Sequence, residues 1–250
     1  MLIALLAGIL LLPADRQATA GELIISAAAS LTNVMRELGE DFEKANPGVK
    51  IIFNYGASGS LLQQIANGAP VDVFAPAGRK DMDKAEALGL LAATSRRDFA
   101  ANRLVLAVPA DGRANLHSLA DLTRPEVKRI GLGSPESVPA GRYAKAVLNG
   151  AGLWEQLAGK FIYGNSVRQV LDYLSRGEVD AGLVYGSDAL LKSDSVKVIA
   201  ELQVTGGIIY PVAQVNESKN PGEAVRFLNF LLTPKAQALL GRHGFEPPKR

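Results

Sequence analysis

The sequence predicts an α/β protein of two lobes, each a mostly parallel sheet flanked by helices, joined by two crossing strands. Three observations carry this expectation. Apolar runs of strand length alternate with stretches of helical period along most of the chain. Two such runs, residues 104–109 and 208–215, bracket a segment with its own β-α alternation, as a chain that leaves one lobe and later returns to it requires. The 250 residues, 48% of them hydrophobic, suffice for two cores of about 100 to 130 residues each.

Taken in order, strands are expected at 22–29, 49–55, 71–75, 104–109, 129–133, 160–163, 181–185, 196–200 and 208–215. Helices are expected at 32–46, 60–67, 81–88, 118–122, 140–149, 167–176, 222–232 and 234–242. Residues 21–103 with 213–250 make the first lobe, 104–212 the second, and the hinge strands lie near 104–109 and 208–215. The last two helices return to the first lobe. The tail 246–250, with two prolines and two basic residues, is expected to fray.

The first twelve residues are almost wholly apolar, too short for a spanning helix but suited to the core of a signal peptide. Ala18-Thr19-Ala20 fits a cleavage site, so residues 1–20 are expected to be removed. No Lys or Arg precedes the apolar run, which a start codon placed too far downstream would explain. Cysteine is absent, so stability rests on the cores, and lipid attachment through an N-terminal Cys is excluded. An exported, unanchored chain is expected in a periplasm. Lys plus Arg number 27 against 25 Asp plus Glu, interspersed along the chain, and no basic stripe marks a nucleic-acid partner.

Enzyme signatures find no foothold. There is no cysteine nucleophile and no G-x-S-x-G elbow, and no Gly-rich loop has dinucleotide or triphosphate spacing. His117 and His243 stand in polar, loop-like contexts without metal-ligand spacing and read as surface residues. No catalytic residue and no cofactor is expected.

What recurs is a small-residue loop between a strand and a helix. The four are Ala27-Ala28-Ala29-Ser30-Leu31-Thr32, Gly56-Ala57-Ser58-Gly59-Ser60, Pro135-Glu136-Ser137-Val138-Pro139-Ala140-Gly141 and Asn165-Ser166-Val167-Arg168. Small side chains leave the first N–H groups of each helix open, and those orphan donors with the helix dipole suit an anion. Serines at helix starts are ordinarily caps, so each alone says little. Ser30, Ser58 and Tyr185 are nevertheless hydroxyls placed after strands, where α/β lobes present ligands.

Five motifs, spread in order over the chain beyond the apolar leader, resemble the periplasmic molybdate-binding proteins of bacterial ABC uptake systems, of the type II periplasmic-binding-protein fold. They are Ala27 to Asn33, Gly56 to Leu61, Gly68 to Phe74, Val138 to Lys145 and Val184 to Ala189. The resemblance implies capture of molybdate or tungstate for a membrane permease by a monomer. It also implies five binding positions: hydroxyl and N–H from Ser30 and Ser58, N–H from Ala140 and Val167, and the phenol of Tyr185. Molybdenum would enter only as its oxyanion, with no direct protein–metal ligand. A site of donors alone suits a fully ionised tetrahedral dianion and rejects protonated phosphate, which brings a proton and finds no acceptor.

Asp72 reads as bonding backbone in its own turn, Asp188 as a helix cap, and Arg168 as a solvated residue on a first helical turn. The alternatives are a sulfate or thiosulfate binder of the same fold, and an enzyme on a bilobal fold such as a porphyrin-precursor deaminase, which needs a cysteine. A sensory domain of a transcription regulator would need a DNA-binding helix pair upstream.

Overall fold

The computed structural model describes residues 21–112 and 115–248. The expected signal peptide, residues 1–20, lies outside them. The chain forms two five-stranded mixed sheets flanked by helices.

The first sheet begins with β1 (Gly21–Ala28), α1 (Thr32–Ala45), β2 (Val49–Gly56), α2 (Ser58–Ala66), β3 (Val73–Ala75), α3 (Arg79–Ala87) and β4 (Arg97–Asn102). Apolar residues bury α1 at helical spacing, with Val34, Met35, Leu38 and Phe42 all inside. The chain then crosses at Arg103 into β5 (Leu104–Pro109), every residue of which is buried.

The second sheet is completed by β6 (Ile130–Gly133), α4 (Pro139–Gly150), α5 (Trp154–Leu157), β7 (Phe161–Gly164), α6 (Val167–Ser175), β8 (Ala181–Tyr185), α7 (Gly186–Leu191) and β9 (Val196–Leu202). Gly206 and Gly207, both at positive φ (78° and 69°), turn the chain back. It re-enters the first sheet as β10 (Ile208–Gln214), followed by α8 (Pro221–Leu231) and α9 (Pro234–Arg242). Phe227 of α8 meets Phe42 of α1 edge-on at 5.2 Å, which fixes the C-terminal helices on the first lobe.

Strand order is β2-β1-β3-β10-β4 in one sheet and β7-β6-β8-β5-β9 in the other. In each, three parallel strands are followed by an antiparallel one contributed from beyond a crossing. The crossings are short: Asn102 ends β4 and Leu104 begins β5, and residues 203–207 link β9 to β10.

Hydrogen bonding moves one expected boundary. Residues 208–212, expected in the second lobe, pair with β4 and belong to the first sheet. The expected helix 118–122 is a single 3₁₀ turn, Ala120–Thr123. Three elements were not expected: β4, α5 and α7. The segment Arg97–Asn102 carries two charges and only three consecutive apolar residues, and it acquires strand structure by pairing with β10. The helices α5 and α7 span four and six residues, too short to show a period.

Candidate functional site

The parallel pairs β1–β2 and β6–β7 end in register, Ala28 beside Gly56 and Gly133 beside Gly164. The loops that follow therefore sit side by side on each lobe, and the two lobes turn these carboxyl ends toward each other. Between them lies a small cavity of about 10 Å³. All five positions named from sequence line it: Ser30, Ser58, Ala140, Val167 and Tyr185. Ligand clefts for drug-sized molecules run to roughly 300–1,000 Å³. This one suits a ligand of few heavy atoms.

The helix starts around it are bare. The N-caps of α2 and α4, Ala57 and Val138, make no side-chain bond to their helices. As first-turn residues, Ser58, Ala140 and Val167 carry N–H groups without partners inside their helices. Pro139 at the first position of α4 supplies the helical φ and has no N–H to leave unpaired. Gly141 lets α4 press against the end of β6, because a Cβ there would strike the Gly133 carbonyl oxygen. Only Ser166 caps its helix, accepting from Gln169 N at 3.2 Å.

The two serines are not caps. Ser58 Oγ accepts the Ala77 backbone N–H at 2.9 Å, and Ser30 Oγ lies 3.0 Å from the hydroxyl of Tyr210. The Tyr185 hydroxyl has only a long contact to the Ala77 carbonyl, 3.4 Å. Burial pushes its phenol well above the ordinary range, so it is a donor at neutral pH.

Carbonyls close to the cavity are already engaged. Arg168 Nη2 donates to the Ser30 carbonyl at 3.0 Å, Thr32 Oγ1 to that of Ala29 at 2.7 Å, and Gly59 N–H to that of Ser137 at 3.0 Å. Helix-start N–H groups and the hydroxyls of Ser30, Ser58 and Tyr185 therefore border the cavity from both lobes. Among the described residues no group of three or more His, Cys, Asp or Glu could hold a metal ion.

Arg168 is not solvated, contrary to expectation. Only 21% of its side chain is exposed, and it crosses between lobes to Asn33 Oδ1 (2.7 Å) and the Ser30 carbonyl. Its Nε sits 2.7 Å from the wholly buried Asp188 carboxylate. Asp188 lies in the first turn of α7 rather than capping it, and burial pushes its carboxyl up to about 6. A second interlobe pair joins Arg142 of α4 to Asp81 of α3, and burial raises that carboxyl as well.

Asp72 bonds other segments rather than its own turn: Ile24 N (2.8 Å), Ser218 Oγ (2.7 Å) and Asn220 N (3.1 Å). His117 is exposed, whereas His243 is half-buried and 2.8 Å from Glu37. Sequence reasoning missed Tyr210 and Asn102, which stand directly behind Ser30. The available signal was a tyrosine inside the fully buried run of a crossing strand, because a buried phenol needs a partner.

Fold and site together define a two-lobe binding protein for a small anion. Residues 23–246 match the family model described as bacterial extracellular solute-binding protein, and the chain belongs to that family. It is 35% identical to the molybdate-binding protein ModA of Escherichia coli over 236 residues, 90% of this chain and 89% of that one. Among solved structures it is similar to the periplasmic molybdate-binding protein of Azotobacter vinelandii, with a TM-score of 0.80 at 24% identity, covering 91% of this chain and 100% of that one. The sulfate-binding protein SubI of Mycobacterium tuberculosis gives a TM-score of 0.80 at 22% identity, over 90% of this chain and 86% of that one. At these identities the structural likenesses show the fold. Among the described residues no helix is long and apolar enough to cross a membrane.

Proposed function

We propose that this protein captures molybdate, and tungstate with it, and delivers the anion to the membrane permease of an ABC importer. One observation carries the reading: Ser30, Ser58, Ala140, Val167 and Tyr185, from five separate segments, line one small cavity of N–H and O–H donors. The relationship to ModA supports molybdate as the cargo. Four oxygens that only accept fit a lining that only donates, and the charge is met by helix dipoles rather than by a metal or a basic side chain. The protein acts as a monomer in the periplasm after loss of residues 1–20, needs no cofactor and performs no catalysis.

Sulfate shares the charge and shape of molybdate and is smaller. A calorimetric titration with molybdate, tungstate and sulfate, alone and in competition, tests the assignment. Molybdate and tungstate should bind alike, and sulfate should fail to displace them at equal concentration. Displacement by sulfate would make this a sulfate carrier.

A further inference from the structure

A serine hydroxyl can donate or accept, so a cavity lined by serines is donor-only if something behind each one fixes its direction. For Ser58 the scaffold does this directly. The Ala77 N–H can only donate to its Oγ, which leaves the serine proton for the cavity.

For Ser30 the direction is set at one remove. Its Oγ is 3.0 Å from Tyr210 Oη, and either hydroxyl could be the donor. Tyr210 of β10 pairs across the sheet with Ala100, and Asn102, two residues further along β4, shares that face. Asn102 Nδ2 lies 3.3 Å from Tyr210 Oη and 2.8 Å from Ser187 Oγ. The orientation of that amide is fixed by its other end, because Oδ1 takes the Arg103 N–H at 2.9 Å. An amide nitrogen has no acceptor capacity, so Tyr210 Oη must accept from Asn102. The tyrosine proton then has Ser30 Oγ as its partner. Both Tyr210 and Ser30 are buried, and a phenol proton without an acceptor there would go unsatisfied. Ser30 Oγ therefore accepts from behind and turns its own proton into the cavity.

We infer that Asn102 and Tyr210 are specificity-determining positioning residues, a relay that locks Ser30 as a donor and so excludes oxyanions that still carry a proton. The inference rests on the oxyanion reading above. It assigns the selectivity of the cavity to two residues that do not line it.

The test compares Tyr210→Phe, Ser30→Ala and the double variant with the unmodified protein, titrating molybdate, sulfate and inorganic phosphate at pH 7. Phosphate is the probe that keeps a proton. Tyr210→Phe frees Ser30 to accept, so molybdate and sulfate should each weaken about tenfold while phosphate holds or tightens. In the Ser30→Ala background the same change should alter molybdate binding less than about twofold, as residues acting through one another are non-additive. Asn102→Ala removes the obligatory donor by another route and should relax selectivity in the same direction, which covers the case of a Tyr210→Phe chain that does not fold. Equal loss for all three anions, or an undiminished effect of Tyr210→Phe without the Ser30 hydroxyl, overturns the relay and leaves the oxyanion function standing. Failure of the unmodified protein to bind any of the three overturns the functional reading and the relay with it.

Discussion

Ser30 and Ser58 are equivalent in sequence terms, each a serine after a strand, yet they stand in different relations to the fold. Removing either hydroxyl takes a donor from a charged acceptor, a loss of about 1.5–3 kcal/mol or roughly ten- to a hundredfold in affinity. Ser58→Ala also strands the buried Ala77 N–H, and Ser30→Ala the buried Tyr210 hydroxyl, so each should lower the stability of the free protein by about 1–3 kcal/mol as well, the first through backbone and the second through a side chain. Urea denaturation without ligand, beside calorimetric titration with molybdate, separates the two effects; unchanged affinity in both variants would move the site elsewhere. Burial pushes the Asp188 carboxyl up to about 6, with Arg168 as its partner. A carboxyl raised above its unfolded value of 3.8 binds its proton more tightly in the fold. Its contribution to stability is thus fully present below that value and is lost as pH rises through about 6. Relative to Asp188→Asn, the unmodified protein should gain stability as pH falls from 7 to about 4 in urea denaturation of the free form. Parallel pH profiles would show that the carboxylate is already protonated or is not buried. The anion-binding groups themselves do not titrate near neutrality, so molybdate affinity should be flat between about pH 7 and 9. Ser30, Ser58 and Tyr185 were legible as hydroxyls after strands and the loops before α4 and α6 as small-residue helix starts, whereas Ala140 and Val167 themselves came from the resemblance to molybdate-binding proteins. Arg168, Tyr210 and Asn102 were not legible, since their roles depend on partners 135 to 138 residues away for Arg168 and 108 to 180 residues away for Tyr210.

At the scale of elements, alternating strands and helices were readable wherever a run was long enough to show its period. What escaped was structure supplied by neighbours, as with β4, and the lobe to which residues 208–212 belong, because nothing in an apolar run says which sheet will pair with it. Helix starts carry the site, and glycines set how closely they approach. Gly59, in the first turn of α2, packs on the second lobe: a Cβ there would lie 2.9 Å from the Ser137 carbonyl oxygen and 3.0 Å from its Cα. Both are backbone atoms that cannot swing aside. Gly59→Ala should therefore hold the lobes apart while the first lobe folds normally, and its helical position even favours alanine by about 1 kcal/mol. The expected outcome is weaker molybdate binding, by tenfold or more, with an unchanged or higher melting temperature in the absence of ligand. A variant that binds as the unmodified protein does would mean that Gly59 and Ser137 are not in contact when the anion is bound.

At the scale of the whole molecule, the direct bonds between the lobes are few among the described residues: Gly59 to Ser137, Arg168 to Ser30 and Asn33, Arg142 to Asp81, Asn102 to Ser187 and a long one from Tyr185 to Ala77. Each involves groups that water satisfies when the lobes part, so their net contribution to closure is modest. The crossings are also narrow, one residue between β4 and β5 and five between β9 and β10, two of those glycines at positive φ. Such a pair of links permits rotation of one lobe against the other. A dianion bridging donors from both lobes then supplies what the direct bonds lack, and closure follows the ligand because only the closed form completes its shell. Two consequences can be measured together. Saturating molybdate should shrink the radius of gyration in small-angle scattering, and at a hundredfold excess over Kd it should stabilise the fold by about 2.7 kcal/mol. For a chain of this size that corresponds to a rise in melting temperature of roughly 5–11 °C. Arg168→Gln loses the charged reach to Ser30 and Asn33, so it should show a smaller compaction and a smaller rise at the same molybdate concentration. Scattering profiles that superimpose with and without molybdate, alongside a normal thermal shift, would mean that the anion enters lobes already closed, and the two links would then be fixed joints rather than a hinge.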